Sequence, residues 1–220
     1  MIEEIKMRKI SWAISLLTAM LMTSQISSAT ERVGNFALLD HKGIYHQLRK
    51  YGDSKAVVII STATNCLENI EKLPKYRLLR TTWENQGVSF LAINSSVDDD
   101  LVDIRLMDSL HNVNLPILLD NSQLVAESLG LSKAGEIIVL EPNRSLVLYR
   151  GGLDIDARRA RPDRGITAQS GTTDLAKTLA AAVMGELDSF DETVVTESVG
   201  CELDFPARDQ HVSNVHDYET

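Results

Sequence analysis

Apolar positions fall into short runs separated by polar turns, and their spacing switches between strand-like and helix-like along the chain. The clearest run, Ala56-Val57-Val58-Ile59-Ile60, is unbroken and β-branched, which predicts a strand over residues 55–61 buried on both faces. Val88-Ser89-Phe90-Leu91-Ala92-Ile93, after Gly87, predicts a second strand. Between the two, Ile70, Leu73, Leu78, Leu79 and Trp83 fall near helical spacing, so residues 67–86 are expected as one helix kinked at Pro74. Residues 36–40 suggest a short opening strand with a turn at His41-Lys42-Gly43. Asp98-Asp99-Asp100 opens a helix to about His111, its acids placed where the helix dipole favours them; a solvated turn explains this run better than a metal site.

Pro116-Ile117-Leu118-Leu119-Asp120 begins a further strand or turn, and residues 123–129 form a short helix ended by Gly130. Residues 136–140 and 145–149 form a hairpin around Glu141-Pro142-Asn143-Arg144. Residues 155–172 are polar and read as a mobile loop, in which acids dilute the run Arg158-Arg159-Ala160-Arg161. An alanine-rich amphipathic helix follows over 175–184, stopped by Gly185, and the remainder is acidic and irregular. Strands alternating with helices, closed by a hairpin and a last helix, predict an α/β fold with a mixed central sheet flanked by helices.

Charge and composition narrow the partners. The 220 residues are 44% hydrophobic and carry a net charge of −9, and no Lys/Arg cluster is interleaved with aromatics, which argues against nucleic acid. Residues 1–29 stand apart. Lys6, Arg8 and Lys9 precede an apolar stretch of 13 residues from Ile10 to Met22, and Ser27 and Ala29 supply the small residues of a cleavage site. That is the pattern of a secretory signal peptide, short for a spanning helix, so the expectation is an exported periplasmic or extracellular protein with no membrane contact after cleavage, the rival reading being an uncleaved N-terminal anchor. The expected organisation is a signal peptide over 1–29, one domain over 31–187 and an acidic tail over 188–220 that contains the second cysteine.

Export changes how the two cysteines, Cys66 and Cys201, are read, because disulfides persist outside the reducing cytosol. Cys66 lies between the strongest strand and a helix start, where unpaired backbone N–H groups favour a thiolate. Three states stay open: a redox couple with Cys201, a permanent staple, or two unpaired thiols. His41, His46 and His111 read as surface residues, and His211 and His216, five apart in an irregular stretch, match no specific ligand pattern. No cofactor motif is present; Gly151-Gly152 reads as a turn.

Several segments together resemble a thioredoxin-fold redoxin of the alkyl hydroperoxide reductase/thiol-specific antioxidant type, over about 33–154. Phe36-Ala37-Leu38-Leu39-Asp40-His41-Lys42-Gly43 is similar to that family's opening strand and turn, and Ala63-Thr64-Asn65-Cys66 to its small-Thr-x-Cys element. Pro74 matches the proline behind the cysteine, Leu115-Pro116-Ile117-Leu118-Leu119-Asp120 the Phe-Pro-x-Leu-x-Asp stretch, and Tyr149-Arg150-Gly151-Gly152-Leu153-Asp154 the end of the sheet. Val199-Gly200-Cys201 stands where some exported members carry a late Val-Gly-Cys.

The resemblance implies a thioredoxin-like fold and thiol-based reduction of a small peroxide or a protein disulfide. It makes Cys66 the nucleophile and Cys201, on a mobile tail, the candidate resolving thiol; the family's Thr three positions before the cysteine is Ala63 here, so Thr64, two before it, is the candidate hydrogen-bond donor to the sulfur. Departures from the pattern keep other readings open. The sequence after the nucleophile is Cys66-Leu67-Glu68-Asn69, with no adjacent second cysteine, and Ala134-Gly135 replaces the Thr-Pro that carries a cis proline in relatives. Arg150 is the one candidate to polarise a peroxide. The alternatives are a degenerate, non-catalytic binding module, or a copper-handling protein using Cys66 with a histidine, or Cys201 with His211 and His216.

Overall fold

The computed structural model describes residues 31–153, 173–187, 190–206 and 208–209. The signal-peptide segment, the polar loop over 155–172, His211 and His216 lie outside the described residues. β1 (Ala37–Leu39) and β2 (Tyr45–Gln47) form a small antiparallel hairpin. β3 (Ala56–Thr62) leads to two helices, α1 (Leu67–Ile70) and α2 (Leu73–Trp83). β4 (Val88–Asn94), α3 (Leu101–His111), β5 (Ile117–Leu119) and α4 (Leu124–Ser128) follow, then the hairpin of β6 (Ile137–Glu141) and β7 (Leu146–Gly151). α5 (Asp174–Met184) and a short β8 (Val194–Val195) complete the set.

Six strands lie in the order β5-β4-β3-β6-β7-β8. β3, β4 and β5 run parallel, β6 is antiparallel to β3, and β8 pairs parallel to β7. This is the thioredoxin-like α/β arrangement, a mixed central sheet flanked by helices. All seven residues of β3 are buried, as its unbroken apolar run requires of a central strand covered on both sides. Alternate residues serve opposite faces. Val58 and Ile60 join Leu73 and Tyr76 of α2, Ile104 and Met107 of α3, and Leu179 of α5. Val57 and Ile59 join Phe36, Leu48, Ala126 and Leu129 on the other face, together with Leu203 and Phe205 from beyond α5.

Two expectations need correction. The helix expected as one kinked rod is broken into α1 and α2, with Pro74 in the first turn of α2, where a missing N–H costs nothing. Residues 190–206, expected as part of an irregular tail, are built into the fold: β8 extends the sheet and Leu203 and Phe205 enter the core. The acidic opening of α3 behaves as expected: Asp100 caps Val102 and Asp103, and Asp103 returns a bond to the Asp100 N–H in a capping box.

The histidines near β1 are also not surface groups. His41 is buried, accepts the Ile117 N–H at Nδ1 (3.2 Å) and donates from Nε2 to Asp108 (3.0 Å). His46 meets Asp40 (3.0 Å) and the Tyr51 hydroxyl (2.5 Å). Burial pushes both carboxyls up. For Asp40 the N–H groups of Ile44 and Lys42 and the His46 ring more than offset that push. For Asp108 the Asn114 N–H, His41 and Lys42 do the same, so both end below the ordinary 3.8. A depressed carboxyl contributes stability that is complete above its unfolded value and is lost as pH falls through the lower folded value. Urea midpoints are therefore expected to stay level down to about pH 4 and to fall steadily below it, with a shallower fall in Asp40→Asn/Asp108→Asn. An equally steep fall in that variant would assign the acid sensitivity elsewhere.

Candidate redox site

The site forms where the sheet's central strand ends. Beyond Thr62 the chain turns through Ala63-Thr64-Asn65 and delivers Cys66 as the N-terminal cap residue of α1, with its carbonyl accepting the Ile70 N–H (2.9 Å). Two side chains hold this turn. Asn69, fully buried, donates to Thr62 Oγ1 (2.8 Å) and to the Ala63 carbonyl (3.2 Å). Asp99 accepts the Thr64 N–H (2.7 Å), the Thr64 hydroxyl (2.6 Å) and the Asn94 side-chain amide (2.6 Å). The Thr64 hydroxyl, expected at the Cys66 sulfur, is thus committed to Asp99, a stronger charged acceptor. Thr64 positions the turn and makes no recorded bond to Cys66. Asp99 itself was not singled out as a site residue, because its partner lies 35 positions earlier.

Cys66 is 1% exposed and packs against Ala63 and Ala134. It is bonded to Cys201 across a separation of 135 residues, so the reading of two unpaired thiols is set aside. Cys201 is the more exposed half of the pair, and its own N–H points at the Cys66 sulfur (3.1 Å). Its segment is ordered. The Ala134 N–H donates to the Cys201 carbonyl (2.8 Å), the Leu203 N–H to the Ser132 carbonyl (2.7 Å), and Lys72 Nζ to the Val199 carbonyl. Gly135 takes φ +90°, a conformation glycine adopts without strain, and the described residues contain no cis peptide.

Charge at the site comes from Glu68 and Lys72. A Glu68 carboxylate oxygen lies 3.5 Å from Cys66 Sγ and 3.2 Å from Cys201 Sγ. Disulfide sulfurs carry no proton, so these are contacts rather than hydrogen bonds. Lys72 is lowered below the usual ammonium range by burial and by Lys75, against an opposing pull from Glu68. Cys66, Glu68 and Cys201 have donor atoms within 4.8 Å of one another, the described group with a donor set for a soft metal, though neither sulfur is free while the disulfide stands. Arg150 belongs to another network. Its guanidinium binds Glu31 (2.6 Å), Glu136 (3.1 Å) and the carbonyls of Leu129 (2.6 Å) and Gly130 (3.2 Å).

A cysteine at this strand-to-helix turn, on this sheet, agrees with a family-model match over residues 29–154 to "AhpC/TSA family". The chain belongs to the AhpC/TSA family. No curated protein matches it in sequence. Among solved structures, this AhpC/TSA member is similar to a hypothetical protein from Sinorhizobium meliloti at 23% identity and TM-score 0.62, covering 80% of this chain and 93% of that one. An uncharacterized conserved protein from Geobacillus kaustophilus is alike at 23% identity and TM-score 0.62, covering 82% and 94%. A putative thiol:disulfide interchange protein DsbE from Chlorobium tepidum matches at 15% identity and TM-score 0.55, covering 70% and 97%. At these identities the likeness establishes the fold. Among the described residues no helix is long and apolar enough to cross a membrane.

Proposed function

We propose that this AhpC/TSA family member is a thiol–disulfide oxidoreductase that cycles between the Cys66–Cys201 disulfide and the dithiol. Cys66 is the nucleophile and Cys201 the resolving thiol; the missing neighbour of a Cys-x-x-Cys pair is supplied from 135 residues away. One observation carries the reading: a sulfur at the end of the central strand, at a helix start, paired with a second, more exposed sulfur that a reductant can reach. In the reducing half-cycle an incoming thiolate attacks Cys201 Sγ, the Cys66–Cys201 bond breaks, and Cys66 leaves with the electron pair as a thiolate. The Cys201 N–H and the unpaired N–H groups at the start of α1 favour that thiolate, while Glu68 opposes it.

A disulfide suits this site better than a peroxide as substrate. The Thr64 hydroxyl and the Arg150 guanidinium, the two groups the sequence offers to polarise a peroxide, are already bound by Asp99 and by Glu31 and Glu136. The proposal includes export: residues 1–29 are a removable leader and the protein works where disulfides persist. Alkylation with mass spectrometry tests it. The air-exposed protein should show both cysteines blocked, and reductant should free both. Reduced Cys201→Ser should retain glutathione on Cys66 after exposure to oxidised glutathione, and reduced wild type should regain its disulfide. Exchange that proceeds undiminished in Cys66→Ser would rule the assignment out.

A further inference from the structure

Apart from its disulfide and the core side chains Leu203 and Phe205, the segment over 199–205 is held by a set of main-chain contacts. Besides the bonds from Ala134 N–H, from Leu203 N–H and from Lys72, Gln123 Nε2 donates to the Asp204 carbonyl (2.5 Å). Glu202 pairs with Lys133 in an antiparallel bridge, and their side chains form an ion pair at 3.2 Å. Residues 132–134 therefore present a short edge to which an extended strand adds. Main-chain bonds of this kind do not depend on which chain supplies the strand.

What the edge reads of the side chains is narrow. A Cβ on Gly200 would stand 1.6 Å from the Ala134 carbonyl oxygen and 2.9 Å from its carbon, both backbone atoms that cannot swing aside. Cys201 meets Cys66, and two and four positions on, Leu203 and Phe205 sink into the core beside Leu129 and Leu131. The pattern is Gly-Cys-x-apolar-x-apolar, with a bend at Gly200 and a bridge to Lys133 at Glu202.

We propose that these residues form a peptide-binding edge, occupied by the chain's own 199–205 in the disulfide form. When reduced, it receives an extended Gly-Cys segment of a partner protein. The inference rests on the assignment of Cys66 as nucleophile and adds the substrate class. The Cys66 thiolate attacks the sulfur of the partner's Gly-Cys cysteine, the partner's disulfide breaks, and its other cysteine leaves with the electron pair as a thiolate. Cys201 thiolate then attacks Cys66 Sγ; the Cys66–partner bond breaks and the partner's Gly-Cys sulfur leaves as a thiolate. Two electrons pass from the dithiol to the partner disulfide, and solvent carries the two protons. The return of 199–205 to the edge displaces the product.

The test uses the full chain with Cys66 as its only thiol, as Cys201→Ser and as Gly200→Ala/Cys201→Ser. The probes are the peptides Val-Gly-Cys-Glu-Leu-Asp-Phe and Val-Ala-Cys-Glu-Leu-Asp-Phe, and a scrambled version, each with its cysteine joined to thionitrobenzoate. Released thionitrobenzoate reports the rate. The glycine peptide is expected to react at least about tenfold faster than the alanine or scrambled peptide. Gly200→Ala, which evicts the chain's own segment, should raise the glycine-peptide rate further. If that double variant does not fold, Cys201→Ser alone carries the peptide comparison.

Equal rates for the glycine and alanine peptides overturn the edge, and so does an equally fast scrambled peptide. If the small disulfide of thionitrobenzoate still reacts while the peptides are not distinguished, Cys66 keeps its role and only the edge fails. If even that reagent does not react, both readings fail. Mixing reduced Cys201→Ser chain with Cys66→Ser chain whose Cys201 is joined to thionitrobenzoate supplies one more arm: Cys66 attacks that Cys201 sulfur and thionitrobenzoate leaves, and a disulfide-linked dimer that forms faster than the peptide adduct would assign the edge to a second copy instead of a partner.

Discussion

Reducing the Cys66–Cys201 bond, or replacing Cys201 by Ser, is expected to lower the melting temperature by about 10–20 °C. A crosslink separated by 135 residues removes a large share of the unfolded chain's freedom, worth about 5 kcal/mol in the loop-entropy view. For a domain of this size each kcal/mol moves the midpoint by roughly 2–4 °C. The same bond holds 199–205 against residues 132–134, so Leu203 and Phe205 lose their tether to the core when it opens. Thermal unfolding of oxidised, reduced and Cys201→Ser protein, followed by circular dichroism, measures the effect. A shift of only about 2 °C would mean that the ends of the loop stay together without the bond. Stability and redox poise are linked: whatever the disulfide adds to the fold, the fold adds to the disulfide. About 5 kcal/mol makes the bond several thousandfold harder to reduce in the folded protein than in the unfolded chain.

Arg150→Met is expected to destabilise by about 3–5 kcal/mol, because it strips the partner from a buried carboxylate. The Glu136 side chain is 6% exposed and meets the guanidinium at 3.1 Å, while its other oxygen accepts the Ser132 N–H at 3.0 Å. Glu31, at 43% side-chain exposure, regains water when the arginine goes and contributes less to the cost. The carbonyls of Leu129 and Gly130 also lose a donor, so the bend that presents residues 132–134 is loosened. Adding Glu136→Gln to Arg150→Met should recover more than half of the loss, since the buried charge then disappears with its partner. Urea denaturation of the single and double variants decides it. A stable Arg150→Met would free this arginine from its structural duty and reopen it as a group for polarising peroxide.

Most of the sheet was legible in the sequence because its signals are local. The run from Ala56 to Ile60 can only be a covered strand, and Asp100 with Asp103 spells a capping box within four residues. The site was half legible. Cys66 stood out by its place between strand and helix, and Cys201 by the element around it. That the two meet depends on chain geometry that no local pattern encodes. The bond from the Thr64 hydroxyl to Asp99 is invisible to local pattern for the same reason, Asp99 being held by the loop after β4. The buried His41 and the half-buried His46 look like turn residues until Asp108 and Asp40 are brought beside them. Cys201, Leu203 and Phe205 alternate with Glu202 and Asp204, the two-residue period of a strand with one wet side, inside a stretch that looked irregular for its acidity.

The distance along the chain between the two sulfurs has a consequence during synthesis. At 5–20 residues per second, the 135 residues that separate them take roughly 7–27 s to make, and for that interval Cys66 has emerged ahead of its mate. The nascent thiol is then open to capture by any other cysteine it meets, and correct pairing must wait until the segment that carries Cys201 arrives.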